Sequence, residues 1–189
     1  RVGLQSFSSK KWKQDAGNAL IKLLKHIEDG PYAERIVGYQ IAFGACGETS
    51  YWGGFNNRTE LKGDFGIGNR NEFYNWCINK YGSLDNLRKA WRMPELNSSN
   101  FQIPSPYLLE SDNTTLESFF LADRQSCIDY NIFTSQMTAD AIEYFGKLVK
   151  ENTGKPVGAF YGYLFVQNVS RVGHLAIDQL LNSPNIDFL

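Results

Sequence analysis

The chain lacks any apolar run approaching the roughly 20 residues needed to span a bilayer, and no charged-then-apolar leader opens it. It lacks an excess of either charge: 19 Lys and Arg stand against 20 Asp and Glu, a formal net charge of −1. No Lys/Arg run restores a positive field locally, so nucleic acid is not an expected partner. No GxGxxG follows a strand-like segment and no GxxxxGK[ST] is present, which removes the main support for a nucleotide-binding sheet. Cysteine is scarce. Cys46, Cys77 and Cys127 are odd in number and far apart, against both a disulfide framework and a CxxC-type metal site. These absences leave a soluble chain without a targeting segment, with no metal or organic cofactor implied and its compartment undetermined.

What the chain does hold is apolar and aromatic matter. Its 189 residues are 42% hydrophobic and 14% aromatic, enough for one substantial core. Helical spacing of Trp12, Ala16, Ala19, Leu20, Leu23, Leu24 and Ile27 predicts a helix over 9–29, stopped by Gly30-Pro31. Ile36 to Phe43 reads as a strand covered on both faces. Asn69 with Glu72 three residues on has the form of a capping box, opening a helix through Tyr81 with Phe73, Trp76, Cys77 and Tyr81 inward. Ser83 caps a shorter helix to Trp91. A long helical pattern from about Thr115 ends at Asn152-Thr153-Gly154, with a break expected near 130–134. Pro156 to Tyr163 is a second strand, His174 to Leu181 a short helix, and Asn185 to Leu189 the start of a third strand. Strands alternating with helices predict an α/β fold of parallel βαβ units.

The chemistry concentrates where the first strand ends. Gly44 and Gly47 free the backbone for a tight exit, and Glu48, Tyr51 and Trp52 follow at once. Ligands of parallel α/β proteins bind at the carboxyl ends of strands. A carboxylate there, desolvated by flanking aromatic rings, suits a general acid acting on a carbohydrate. Tyr51 and Trp52 either stack on a sugar face or plug the mouth of the sheet. Tyr161 and Tyr163 end the second strand and alternate onto one face, where they either meet a ligand or pack internally. Asp187, inside the last strand, is a further inward candidate. Cys46 with His174 is a weaker thiol–imidazole pairing, because nothing orients the ring and His174 reads as a helix start. Asp123, Asp129 and Glu143 read as the solvated face of the long helix.

Taken in order, SSKKWKQDAGNALIKLLKHIEDGPYAERIVGYQIAFGACGE, FYNWCINKYGSLDNLRKAW, GKPVGAFYGYL and GHLAIDQLLNSPNIDFL resemble the middle of glycoside hydrolase family 42 β-galactosidases and their clan A relatives. The resemblance covers nearly the whole chain, and YGSLDNLRKAW after an acid-bearing strand is its most specific part. It implies a partial (β/α)8 TIM barrel, from about the third helix to the sixth strand, with 1–189 as a single incomplete barrel segment. It also implies a retaining mechanism with two glutamates. Glu48 takes the fourth-strand acid/base position, and the nucleophile of the seventh strand lies beyond Leu189. The substrate would be a β-galactoside or related β-glycoside. One departure stands out: the clan places Asn before its acid/base, and this chain has Gly47. That departure supports the main alternative, a catalytically degenerate carbohydrate-binding barrel. A partial barrel also predicts that the remainder of the barrel, or a homo-oligomer, covers its open edges.

Overall fold

The computed structural model describes residues 5–44, 47–51, 64–105, 124–163 and 172–189. Helix α1 (Lys10–Glu28) begins where the Ser9 side chain accepts a hydrogen bond from the Trp12 amide at 3.1 Å. Its stripe of Trp12, Ala16, Leu20 and Leu24 packs toward the sheet and the long helix. The parallel strands β1 (Tyr39–Ile41) and β2 (Val157–Ala159) pair Tyr39 with Val157, Gln40 with Gly158 and Ile41 with Ala159. The expected strands of eight residues are thus paired over three. A ladder persists only where a neighbour runs alongside, and Val37, 87% exposed, lies ahead of the sheet. The third expected strand is one parallel bridge, Gly158 to Phe188, with the Asp187 amide donating to Val157 O at 2.7 Å.

Alternation gives this small sheet two unlike faces. Ile41, Val157, Ala159 and Tyr161 are buried against Leu24, Ile142, Phe145 and Val149. On the other face, Gln40, Ala42 and Phe160 are exposed and Phe188 lies over Gly158. The helices α2 (Ile67–Tyr81) and α3 (Leu84–Trp91) form a second core with Phe101 and Ile103. Ser83 caps α3 by accepting from the Asn86 amide. Helix α4 (Gln125–Thr153) is unbroken through 130–134, 29 residues long, and closes on Gly154 in the left-handed conformation. A five-residue helix, α5 (Ile177–Leu181), follows. Among the described residues, no helix is long and apolar enough to cross a membrane.

Three expectations are corrected here. Asn69 is not a cap: α2 starts two residues earlier, after Gly66, and Asn69 lies buried inside it. Its amide instead donates to Asp64 O at 2.8 Å and to the Tyr130 hydroxyl at 3.1 Å, tying the helix start to α4. Asp129 is not on a solvated face; it is fully buried. Its carboxylate accepts from Lys80 Nζ at 2.6 Å, Gln125 Nε2 at 2.9 Å, and Tyr81 Oη and Trp91 Nε1 at 2.7 Å each. Four donors from α2, α3 and α4 replace the lost water, which makes burial of the charge tolerable. Asp187 does not point into a barrel: at the amino end of the sheet it accepts from Lys150 Nζ and the Val157 amide, each at 2.7 Å. At that same end, Lys155 bridges both Glu28 oxygens at 2.8 Å, and Tyr39 donates to Glu28.

Removing the Asp129 carboxylate strands four donors, one of them a cation still one-third exposed. Asp129→Ala is therefore expected to lower unfolding free energy by about 3 kcal/mol in urea titration. A loss below about 1 kcal/mol would show that the network is incidental to stability.

Candidate active site

The carboxyl ends of β1 and β2 converge on the segment 47–51, and backbone hydrogen bonds explain its path. After β1 the chain folds back so that the Thr49 amide donates to Phe43 O at 2.9 Å. A Cβ at Gly44 would stand 2.4 Å from Ser50 O, so only glycine admits this return. The Tyr51 amide then donates to Val172 O at 2.8 Å, joining the loop to the segment that precedes α5. The Thr49 hydroxyl lies between two carbonyls, Phe160 O and Glu48 O, and has one proton to give. The loop is thus stitched to both strand ends.

Glu48 is partly exposed on this loop, flanked by residues of positive φ: Gly47 at 75° and Thr49 at 54°. A left-handed β-branched residue costs on the order of 1–2 kcal/mol, which the surroundings must supply. Gly47 has open space around a hypothetical Cβ, with Ala42 Cβ nearest at 3.9 Å. Its left-handed backbone suits glycine. Tyr163, also partly exposed, has its phenol raised above the ordinary 10 by burial first and by the charge of Glu48 second. The structure therefore brings Glu48 and Tyr163 within electrostatic reach of each other.

The other candidates divide. Tyr161 is buried, and its hydroxyl donates to Ser135 O at 3.0 Å and accepts from the Ala176 amide at 3.1 Å. It braces the site from beneath, and that hydroxyl is committed to backbone on both sides. Tyr51 is 3% exposed, with its ring edge-on to Phe7 at 5.2 Å. Burial and the neighbouring Tyr130 and Asp64 push its phenol well above its ordinary range. It lies in the packing below the site, without a ring face open to a sugar. Trp52 and Cys46 fall outside the described residues.

Sequence reasoning missed Thr49 and set His174 aside as a helix start. Thr49 carries no signal beyond following Glu48. His174 does not begin a helix, since α5 starts at Ile177; it is fully buried in the floor of the site. Its ring lies 4.5 Å from that of Tyr161 and 5.3 Å from that of Tyr163. Burial drives its pKa from the ordinary 6.5 down to about 4. The backbone of Thr49 opposes the shift. Among the described residues, neither ring nitrogen of His174 has a hydrogen-bond partner. Among the described residues, no group of three or more His, Cys, Asp or Glu is placed to hold a metal ion.

The depressed pKa has a direction. The unfolded chain binds this proton below pH 6.5, whereas the folded chain resists until about pH 4. Stability is fully present above pH 6.5 and falls as the pH drops toward 4, by up to about 3 kcal/mol. His174→Phe should flatten that limb in melting curves recorded across this window. An unchanged slope would mean that another group carries it.

Comparison with known proteins places this geometry in a fold. No family model matches the chain, and no curated protein matches it by sequence. Among solved structures, it is similar to the catalytic domain of a β-amylase from Paenibacillus polymyxa, with a TM-score of 0.66 at 15% identity. The match covers 93% of this chain and 46% of that one. Identity this low speaks for fold alone. The chain thus has the fold of somewhat less than half of such a catalytic domain, with Glu48 on the loop after a parallel strand.

Proposed function

We propose that the protein is a retaining glycoside hydrolase acting on β-galactosides or related β-glycosides, with Glu48 as general acid/base. The observation that carries the reading is the place of Glu48. It is a partly exposed carboxylate beyond the carboxyl end of β1, on a loop with left-handed residues on both sides, whose charge reaches Tyr163. In such a mechanism a second carboxylate, about 5–5.5 Å from the first, attacks the anomeric carbon while Glu48 protonates the departing glycosidic oxygen. Glu48, now ionised, then takes a proton from the water that cleaves the glycosyl–enzyme ester. The nucleophile would come from chain beyond Leu189. Tyr163 would share the site as a hydrogen-bonding neighbour of Glu48, and Trp52, four residues on, would stack on the sugar. Tyr51 and Tyr161 would contribute by packing beneath it.

Gly47 favours a second reading, a carbohydrate-binding barrel without turnover, because glycine has no side chain to hold a sugar hydroxyl. The similarity to a β-amylase also brings that enzyme's substrate into the panel of compounds to try.

The test compares the full-length protein with Glu48→Gln on chromogenic β-glycosides. The variant should lose about 10²-fold or more on substrates with poor leaving groups, and much less where the leaving group needs no proton. Equal activity of the two forms would remove Glu48 from the acid/base role. Inactivity of both, with sugar binding retained, would favour the binding-protein reading.

A further inference from the structure

Glu48 and Thr49 share one peptide group, and both of its polar ends are occupied. The N–H, which belongs to Thr49, donates at 2.9 Å to the carbonyl of Phe43, two residues beyond β1. The C=O, which belongs to Glu48, accepts from the Thr49 hydroxyl at 2.7 Å and more distantly from the Ser50 hydroxyl at 3.4 Å. The Thr49 hydroxyl also reaches the carbonyl of Phe160, the first residue past β2. Among the described residues, no other hydrogen bond joins 47–51 to the end of β2. The peptide plane is therefore held from both strand ends, and it cannot turn without breaking one of these bonds. Glu48 Cα lies in that plane, so fixing the plane fixes the root of the carboxylate side chain.

Threonine is a costly residue for this place. Its φ of 54° is left-handed, where a β-branched side chain is an outlier, and it is fully buried. Glycine or asparagine would take the same backbone more easily. Strain of this kind persists only where the surrounding structure imposes it, and it gathers at functional sites. What threonine supplies and glycine does not is the hydroxyl, whose partners are the carbonyls of Glu48 and Phe160.

We propose that Thr49 is a positioning residue for Glu48: its hydroxyl ties the Glu48 peptide group to the end of β2, so that the carboxylate is rooted at a fixed place between the two strand ends. The inference deepens, and for its catalytic arm rests on, the reading of Glu48 as general acid/base. An acid that protonates a departing oxygen has to stand within about 2.6–3.2 Å of it. A loop tied to its own strand alone would let that distance wander. Thr49, being buried, does this without touching the substrate.

The test uses the full-length protein with Thr49→Val, which keeps the shape and removes the hydroxyl, and with Thr49→Ser, which keeps the hydroxyl. With folding verified by melting, Thr49→Val should lower kcat about tenfold on a glycoside with a poor leaving group, with KM within about twofold. The loss should be smaller where the leaving group needs no proton, and Thr49→Ser should recover most of it. Thr49→Gly takes the left-handed backbone without strain, so it should melt no lower than Thr49→Val and still lose kcat. Unchanged kcat in Thr49→Val or Thr49→Gly, or equal losses on both classes of substrate, would reduce Thr49 to a packing residue. If the unsubstituted protein hydrolyses no glycoside, the reading of Glu48 falls, and nitrogen relaxation decides the positioning claim. The backbone order parameter of Glu48 should then drop in Thr49→Val and return in Thr49→Ser, and an unchanged value overturns the claim. If neither Thr49→Val nor Thr49→Gly folds, the unsubstituted protein decides: a Thr49 hydroxyl proton protected from exchange supports the tie, and a rapidly exchanging one overturns it.

Discussion

Helix α4 has to bury side chains along its whole length against two different layers, and the rest of the structure is arranged to let it. Its carboxy-terminal half sends Ile142, Phe145 and Val149 under the sheet. Each such side chain contributes about 2 kcal/mol when removed from water. Its amino-terminal half places Tyr130 and Phe133 in the aromatic cluster of Phe73, Trp91 and Phe101. Asp129 sits in that half, where α2, α3 and α4 meet, and its four donors fix how the three helices cross. Serine and threonine along its middle bond back to the preceding turn, leaving close-packed surface for the strand ends above.

The two ends of the sheet hold their charges differently. At the amino end, charge is spent on architecture: Lys155 with Glu28 and Tyr39, and Lys150 with Asp187, tie helix ends to strand starts. The Glu28 carboxyl is held below the usual range by its hydrogen bonds from Lys155 and Tyr39, and the Tyr39 phenol is pushed up to about 12, chiefly by burial. At the carboxyl end the backbone turns through left-handed residues, and Glu48 is left without an ion pair among the described residues.

Much of the local structure was legible because its signals are local. Ser9 and Ser83 announce helix starts through their own side-chain oxygens, and Gly154 ends α4 through its own backbone freedom. Asn69 deceived because a cap and an interior Asn share one spacing, and only the reach to Tyr130, 61 residues away, separates them. Asp129 deceived for the same kind of reason: helical periodicity assigns faces but cannot see Lys80 and Trp91 arriving from other helices. Of the candidate site, the strand-end placement of Glu48 was readable, while the burial of Tyr51 and the bracing role of Tyr161 depend on partners distant in sequence.

The sequence by itself determined the order of the helices and the two parallel strands, the Ser83 cap and Gly154 stop, and the carboxylate that follows Gly44 and Gly47 after the first strand. Those follow from periodicity and from the conformational limits of single residues. Only the tertiary structure decided that the charge of Glu48 reaches Tyr163, that Thr49 is held left-handed, and that His174 is buried against Tyr161 and Tyr163. Burial and long-range contact are properties of the packed chain, and no local pattern encodes which side chains will close over an imidazole.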